Sequence, residues 1–212
     1  MRIFVINGFA GAGKTTFGSF VKEHLLSQNR KFLHTSSIDP IKEILKSEDN
    51  WINIPEEAKG QLRALKSRIT TVDWDGETKA NGWRDKMSEL KALINEQFPN
   101  FIHEFCLKRS TELGKDGILF VDIREPEQID AFKSYVLEIY PDFEFKTLIV
   151  KGPPSKEYSN KSDRYVDEYV YDIEIDNTDR TAGLESLQEL AQEFITQHCL
   201  SESDSELDIP LS

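Results

Sequence analysis

The sequence predicts an α/β protein built around a parallel β-sheet. Short apolar segments alternate with longer segments whose apolar residues recur at helical spacing, a pattern typical of parallel strands with helices on both faces. Residues 118–121 are uniformly apolar, which indicates a strand buried on both of its faces. A glycine-rich stretch, GFAGAGKT at 8–15, falls between the first predicted strand and the first predicted helix.

The first predicted elements are a strand, a helix and a second strand. RIFVIN at 2–7 is a short apolar run and predicts the first strand. The segment from Lys14 to about Gln28 predicts a helix, because apolar residues recur in it at Phe17, Phe20, Val21 and Leu25. KFLHTS at 31–36 predicts the second strand. Asp39–Pro40 then suits a helix start, since proline is tolerated in a first helical turn.

The remaining elements follow from the same two patterns. Three further helices are predicted at 55–71, 82–97 and 100–113. Strands at 118–121, 144–150 and 171–175 and helices at 127–140 and 182–197 complete the alternation. Residues 1–200 are therefore expected to form one domain. The segment 201–212 carries four acidic residues and no basic one, and is expected to be a flexible tail.

Composition limits the classes of partner. The net charge of −12 argues against a general nucleic-acid binder, because a phosphate backbone attracts a basic surface. No stretch approaches the roughly 18 apolar residues that span a bilayer, so no membrane partner is expected. Two cysteines in 212 residues do not form a disulfide framework, which favours a reducing, cytoplasmic location. His24 and His34 have no metal-like sequence neighbours, and a homodimer is left open.

GFAGAGKT fits the pattern G-x-x-x-x-G-K-[ST], which predicts a loop that binds nucleotide phosphates. Its glycines let the backbone curl with N–H groups inward, and the following helix adds the positive end of its dipole. Lys14 is expected to reach the β- and γ-phosphates, and the Thr15 hydroxyl to ligate Mg²⁺. The predicted nucleotide-binding residues are Gly8, Gly11, Ala12, Gly13, Lys14, Thr15 and Thr16. The alternative is a glycine-rich structural turn.

A second metal-binding residue is expected at the end of the third strand. ILFVD ends at Asp122, and a carboxylate at the tip of a buried strand can hold Mg²⁺ through water. The compatible alternative is that Asp122 caps the next helix. Arg124 returns to the same side as Asp122 in an extended chain and is expected to point into the cleft. The alternative for Arg124 is a surface pair with Glu125 or Glu127.

Two other motif matches are interpreted as accidental. A GTPase reads its base with Asn-Lys-x-Asp just after a strand, but NKSD at 160–163 lies well beyond its predicted strand. The D-x-x-G match at 73–76 lies between two predicted helices. No transporter-type ATPase signature is found. The remaining use of such a loop in a small domain is phosphoryl transfer to a second small molecule, which needs a second anion site and a lid that excludes water.

The acceptor side is expected in a helical insertion at about 39–113, whose basic residues include Lys42, Arg63, Arg68, Arg84 and Lys86. Arg84 is the best candidate for gripping the acceptor phosphate, because a guanidinium fork matches phosphate oxygens; the alternative is a solvated helix face. The lid is expected at about 151–165, where basic residues exceed acidic ones by two. Arg164 there could neutralise charge on the moving phosphoryl group; the alternative is a solvated loop.

Five stretches resemble the nucleoside-monophosphate kinase group of P-loop proteins, and most closely its phage and bacterial deoxynucleoside-monophosphate-kinase-like members. They are GFAGAGKTTF, IDPIKEI, NGWRDKMSEL, LFVDIREPEQID and YDIEIDNTD. The resemblance implies a three-layer P-loop NTPase fold, with a five-stranded parallel sheet in the order 2-3-1-4-5, a helical acceptor-side insertion and a lid. It implies acceptor-side roles for Asp39 and Lys42, a match of Asp122 and Arg124 to the family's Asp-x-Arg, and a place near the donor base for Asn177.

The sequence therefore predicts a transferase of nucleotide metabolism that uses ATP and Mg²⁺ to phosphorylate a (deoxy)nucleoside monophosphate. Lys14, Arg124 and Arg164 are the expected catalytic residues, and Asp39, Lys42, Arg84 and Arg124 the expected acceptor contacts. No covalent intermediate is needed, because positioning and electrostatics carry phosphoryl transfer. Two alternatives remain open: an ATP-sensing binding module without kinase activity, and a kinase of a non-nucleotide phosphorylated metabolite.

Overall fold

Five parallel strands form the centre of the fold. They are β1 (Arg2–Asn7), β2 (Phe32–Ser36), β3 (Ile118–Asp122), β4 (Glu144–Lys151) and β5 (Ile173–Asp176). Their order in the sheet is β2-β3-β1-β4-β5, and all of them run in one direction. The α/β class and the predicted strand order are thus confirmed.

The structure, a computed structural model, describes residues 1–46, 48, 56–69, 83–153, 165–179, 181 and 183–200. Several helix side chains within these ranges, that of Arg84 among them, lie outside the description. The predicted flexible tail at 201–212 also lies outside it.

The helices follow the sequence pattern closely. They are α1 (Lys14–Ser27), α2 (Asp39–Lys46), α3 (Glu56–Ile69), α4 (Trp83–Gln97), α5 (Phe101–Ser110), α6 (Pro126–Ile139) and α7 (Gly183–Phe194). The helix predicted at 100–113 is α5 followed by a 3₁₀ turn at Thr111–Leu113. The last helix changes after Phe194 to a π-helical turn at Ile195–Cys199. None of the helices in the described ranges is long and apolar enough to cross a membrane.

The last strand begins two residues later than the sequence pattern indicates, at Ile173 rather than 171. The reason is the side chain of Asp172, whose Oδ2 accepts hydrogen bonds from the backbone N of Thr147 at 2.7 Å and from its Oγ1 at 2.9 Å. This carboxylate takes the Thr147 N–H that a neighbouring strand would otherwise bind. The ladder between β4 and β5 therefore starts only with the pair Leu148 and Ile173.

Parallel pairing brings the carboxyl ends of the strands to one edge of the sheet. β1 is central, and its Ile6 pairs with Asp122 of β3 on one side and with Leu148 of β4 on the other. The segment after β1 is the glycine-rich loop, and it leads directly into α1. Open parallel sheets bind ligands at this edge, so the loop and Asp122 stand where a ligand site is expected.

Aromatic rings fix the elements beneath that edge. The ring of Phe4 on β1 meets Phe120 on β3 edge-to-face at 5.6 Å and Phe194 on α7 at 5.0 Å, and Phe17 on α1 meets Phe194 at 5.5 Å. All four side chains are fully buried or nearly so. Each such ring pair is worth about 0.5–1.5 kcal/mol beyond the burial of its area. The first turns of α1 are therefore held against the sheet core by these ring contacts.

The chain divides into two compact units, Met1–Thr35 with Ser110–Ser212, and Ser36–Arg109. The first contains the sheet core and the glycine-rich loop. The second contains α2, α3, α4 and α5 and spans nearly the residues of the expected insertion. Its own core comes from apolar faces of these helices, including Ile41, Leu62, Leu90, Ile94 and Ile102.

Candidate functional site

The glycine-rich loop needs glycine at Gly8 and Gly13. Both have positive φ, 138° and 101°. A Cβ on Gly8 would lie 2.3 Å from the carbonyl oxygen of Val150, and a Cβ on Gly13 would lie 2.7 Å from Nδ2 of Asn177. Gly11 also has a positive φ, 77°, but no atom of the described residues lies within 4 Å of its Cβ position. Among the described residues, the loop is therefore tightly packed at Gly8 and Gly13 but not at Gly11.

Lys14 folds over this loop. Its ammonium Nζ donates hydrogen bonds to the carbonyl oxygen of Gly8 and, at 2.9 Å, to that of Phe9. Both acceptors are uncharged, so these contacts hold the lysine over the loop without neutralising its charge. The sequence assigns Lys14 to nucleotide phosphates, and its position over the loop suits an anion.

The loop ends at the N-terminus of α1. The first bond of the helix runs from the N–H of Phe17 to the carbonyl oxygen of Gly13 at 2.8 Å. The N-cap residue Gly13 has no side chain that could cap this end, and the first turn carries no acidic residue. Thr15, which is exposed, and Thr16, which is half-buried, lie in that turn. The positive end of the helix dipole is thus left for an external anion.

The ends of β4 and β5 support the loop from behind. Asn177 is buried, and its Nδ2 donates a hydrogen bond to the carbonyl oxygen of Ala12 at 2.9 Å. Its backbone N–H donates to the carbonyl oxygen of Lys151 at 2.8 Å. A Cβ on Gly152 would lie 2.6 Å from Cα of Ala12. Asn177 therefore holds the loop in shape, and its proposed place near a donor base stays a prediction.

Asn7, at the end of β1, joins three chain segments and is absent from the sequence prediction. Its Nδ2 donates to the carbonyl oxygen of Arg124 at 3.1 Å and to the hydroxyl of Tyr171 at 2.7 Å, and its Oδ1 accepts from the N–H of Gly8 at 2.8 Å. Asn7 is fully buried, and burial raises the pKa of Tyr171 to about 12, so the phenol stays protonated. The one feature of the sequence that could have pointed to Asn7 is that a polar residue ends an otherwise apolar strand.

Asp122, at the end of β3, lies opposite a histidine that the sequence left without a role. Nε2 of His34, on β2, is 3.3 Å from Oδ1 of Asp122. Nothing local in the sequence pairs these residues, which are far apart along the chain. Only the adjacency of β2 and β3 brings them together, and that order came from the resemblance alone. Arg124 is half-buried just beyond β3, with its backbone held by Asn7.

The acceptor-side residues that can be described lie in the Ser36–Arg109 unit. Oδ2 of Asp39 accepts a hydrogen bond from the N–H of Ser36 at 2.8 Å, and Oδ1 of Asp39 lies 3.1 Å from Nζ of Lys42. Asp39 thus stabilises the start of α2 besides any contact with a ligand. The side chain of Arg84, Arg164 with most of the expected lid, and the motif matches at 73–76 and 160–163 lie outside the described residues.

The two cysteines take no part in this site. Cys106 and Cys199 are unpaired thiols and both are buried. Burial raises the pKa of each thiol to about 12. Thiols held protonated by burial are poor nucleophiles, so neither cysteine is a candidate nucleophile.

The residues present fit a magnesium-bound nucleotide. Within the described ranges, no group of three or more His, Cys, Asp or Glu side chains could hold a metal ion by itself. Mg²⁺ commonly keeps several waters and takes one carboxylate plus substrate phosphates. Thr15 and Asp122 supply a hydroxyl and a carboxylate of this kind. Oδ1 of Asp122 is buried without a hydrogen bond from any described residue, so this carboxylate keeps unused acceptor capacity at the site.

No protein-family model matches the chain, and no curated protein matches it significantly. The functional assignment therefore depends on the residues and their geometry.

Proposed function

We propose that the protein is a P-loop kinase of the nucleoside-monophosphate kinase type, working in the cytoplasm on ATP and a (deoxy)nucleoside monophosphate. One observation carries the proposal. Lys14 lies over a glycine-rich loop between β1 and α1, and Asp122 ends the strand next to β1. A cation, a helix N-terminus and a carboxylate at one sheet edge suit a magnesium-bound triphosphate.

The donor side is the part of the proposal with the most structural support. The curled backbone of the Gly8–Thr15 loop and the N-terminus of α1 bind the donor phosphates. Lys14 exchanges the carbonyls of Gly8 and Phe9 for phosphate oxygens, which are better partners because they are charged. Thr15 and Asp122 would hold Mg²⁺, which offsets phosphate charge when bound.

The acceptor side rests on the cations of the Ser36–Arg109 unit. Arg84 binds the acceptor phosphate, and Lys42, positioned by Asp39, adds a second positive charge. Arg124 adds charge next to Asp122. An extra anion site distinguishes a kinase from a simple nucleotide hydrolase, because a hydrolase needs only water as its acceptor.

The transfer step needs positioning rather than a covalent intermediate. The donor and acceptor phosphates are held by the residues above, and Arg124 and Arg164 lower the charge repulsion between them. The lid that the sequence predicts at about 151–165 is the segment that would exclude water in this proposal, so that the acceptor and not water receives the phosphoryl group.

The proposal is tested by measuring ADP release from ATP-Mg²⁺ with a panel of ribo- and deoxyribonucleoside monophosphates. We expect release that depends on one or two of these acceptors. The same panel with Lys14→Ala is the control for contaminating kinases. Tight ATP binding with no acceptor-dependent release would contradict the kinase and favour the nucleotide sensor, for which the acidic tail at 201–212 is the motivating feature. Release only with other phosphorylated metabolites would keep the kinase and replace the acceptor.

A further inference from the structure

His34 and Asp122 form a contact between neighbouring strands at the ligand edge of the sheet. Nε2 of His34 lies 3.3 Å from Oδ1 of Asp122, and their side chains are 21% and 33% exposed. Both atoms are themselves buried, and neither has a hydrogen bond of good geometry to any described residue. The two atoms face each other at contact distance, but their angles are not those of a hydrogen bond.

The ring of His34 is held in place by its surroundings. A Cβ on Gly18 of α1 would lie 2.7 Å from Nδ1 and 2.8 Å from Cε1 of His34, so the ring lies directly against the helix backbone. The rings of Phe32 and Phe120 meet the imidazole edge-to-face at 6.4 and 5.8 Å. Gly18 is one helical turn beyond Lys14, so the imidazole contacts α1 one turn from its N-terminus and reaches Asp122 with Nε2.

A buried polar pair at this place has a chemical use. Buried donors and acceptors without partners are costly, so such a pair is stable when one group satisfies the other or a ligand satisfies both. Hydrogen bonds in active sites are often poorly aligned without substrate and tighten in the complex. A small rotation of the imidazole would turn the 3.3 Å contact into a hydrogen bond from Nε2 to Oδ1.

We propose that His34 is a positioning residue for Asp122. Its Nε2–H holds Oδ1 and fixes the carboxylate, which leaves Oδ2 for a water of the nucleotide-bound divalent cation. Gly18 is required because only a residue without a Cβ lets the ring reach this position. The inference rests on the proposed function in that it assumes a cation-bound nucleotide at Asp122. Partners of metal-binding groups typically contribute a factor of about 10–100 in metal affinity.

The test measures the affinity of the protein–ADP complex for Mn²⁺, a paramagnetic substitute for Mg²⁺, by electron paramagnetic resonance. We expect His34→Phe, which keeps a ring but has no donor, to weaken Mn²⁺ binding at least about tenfold. ADP affinity without metal should stay unchanged. His34→Gln, which keeps an N–H donor at similar reach, should recover part of the loss. A His34→Phe complex that binds Mn²⁺ as tightly as the wild type overturns the inference.

Gly18→Ala tests the same contact without changing either partner. Alanine is more favourable than glycine in a helix interior, so α1 should form, but the new Cβ must displace the imidazole. We expect Gly18→Ala to lose Mn²⁺ affinity as His34→Phe does. The double variant Gly18→Ala/His34→Ala removes the collision and should regain thermal stability without regaining Mn²⁺ affinity. Recovery of both would overturn the inference.

Asp122→Asn completes a double-mutant cycle. If His34 acts through Asp122, adding His34→Phe to Asp122→Asn should weaken Mn²⁺ binding no further. Additive losses would contradict the positioning role. The result is separable from the kinase proposal. If His34→Phe weakens Mn²⁺ binding as expected but the wild type transfers no phosphoryl group, only the kinase proposal is refuted. Transfer by the wild type with unaltered Mn²⁺ binding by His34→Phe would refute only the positioning role.

Discussion

The glycine-rich loop and the Ser36–Arg109 unit bind the same chemical group in the proposed function, but by different means. The loop uses backbone N–H groups, one lysine and a helix end, and its shape depends on missing Cβ atoms at Gly8 and Gly13. The helical unit uses side-chain cations, and three of those described, Lys42, Lys46 and Lys59, pair with a carboxylate on their own helix. A binding site made of backbone groups is encoded by a short sequence motif. A binding site made of side chains depends instead on how the helices that carry them pack.

The difference predicts where substitutions will matter most. A change in the loop alters groups that have no substitute, because in the proposed function the backbone itself binds the ligand. A change among the cations of the helical unit removes one of several side-chain charges, and ion pairs of exposed cations such as Arg63 contribute little to stability.

Lys14→Ala should lower kcat by about 10²–10³-fold, since it removes a preorganised charge from the transferring phosphate. The thermal midpoint should change little, because water can replace Lys14 as the donor to the carbonyls of Gly8 and Phe9. Lys22→Ala, an exposed lysine on the same helix, is the matched control and should behave as the wild type. Retention of full turnover by Lys14→Ala would show that the loop does not bind the donor.

Gly8→Ala and Gly11→Ala separate packing from backbone strain in the loop. Both residues have positive φ, but only a Cβ at Gly8 meets backbone, the carbonyl of Val150. Gly8→Ala should cost about 3 kcal/mol or more of unfolding free energy. Gly11→Ala should cost about 1 kcal/mol, the strain alone. Chemical denaturation measures both, and equal losses would contradict the described packing of the loop.

Arg84→Ala should raise the acceptor KM about tenfold, the loss of one charge-assisted contact, and leave the ATP KM unchanged. Arg63→Ala is the matched control from the same unit. Nη2 of Arg63 lies 3.1 Å from Oε2 of Glu48 in an exposed ion pair, so removing this arginine should change neither the acceptor KM nor the ATP KM. An equal rise of both KM values for Arg84→Ala would remove this residue from the acceptor site.

Tyr171→Phe should cost about 1 kcal/mol of unfolding free energy, because it removes the hydroxyl that accepts from the buried amide of Asn7. Tyr169→Phe is the comparison, since the Tyr169 hydroxyl donates to Asp130 at 2.8 Å in an exposed hydrogen bond. The Tyr169 variant should lose less. If Tyr169→Phe lost more unfolding free energy than Tyr171→Phe, the hydrogen bond from Asn7 to Tyr171 would not be the more stabilising of the two.

The smallest expected effect is a pH dependence of stability that His103, in the Ser36–Arg109 unit, contributes. Burial, and secondarily the charge of Lys91, lower the pKa of His103. The unfolded chain therefore takes up a proton near pH 6.5 that the folded chain resists, so stability falls as pH drops below this value. In His103→Gln the thermal midpoint should fall less between pH 7 and pH 5. A steeper fall would reverse the sign of the assigned shift.

The sequence predicts the backbone features better than the side-chain contacts, for a physical reason. The glycine-rich loop, the buried strand at Ile118–Asp122 and the alternation of elements are local patterns, and the structure has them in place. The strand order came only from a resemblance. The contacts of Asn7, Tyr171 and His34 join residues far apart along the chain, so no local pattern contains them.

The most direct test of the central claim follows the γ-phosphate of labelled ATP with a nucleoside monophosphate present. We expect the label to appear on the acceptor, as the β-phosphate of a nucleoside diphosphate, and Lys14→Ala to slow this transfer by about 10²–10³-fold. Label released as inorganic phosphate regardless of acceptor, or label that stays on bound ATP, would contradict a kinase.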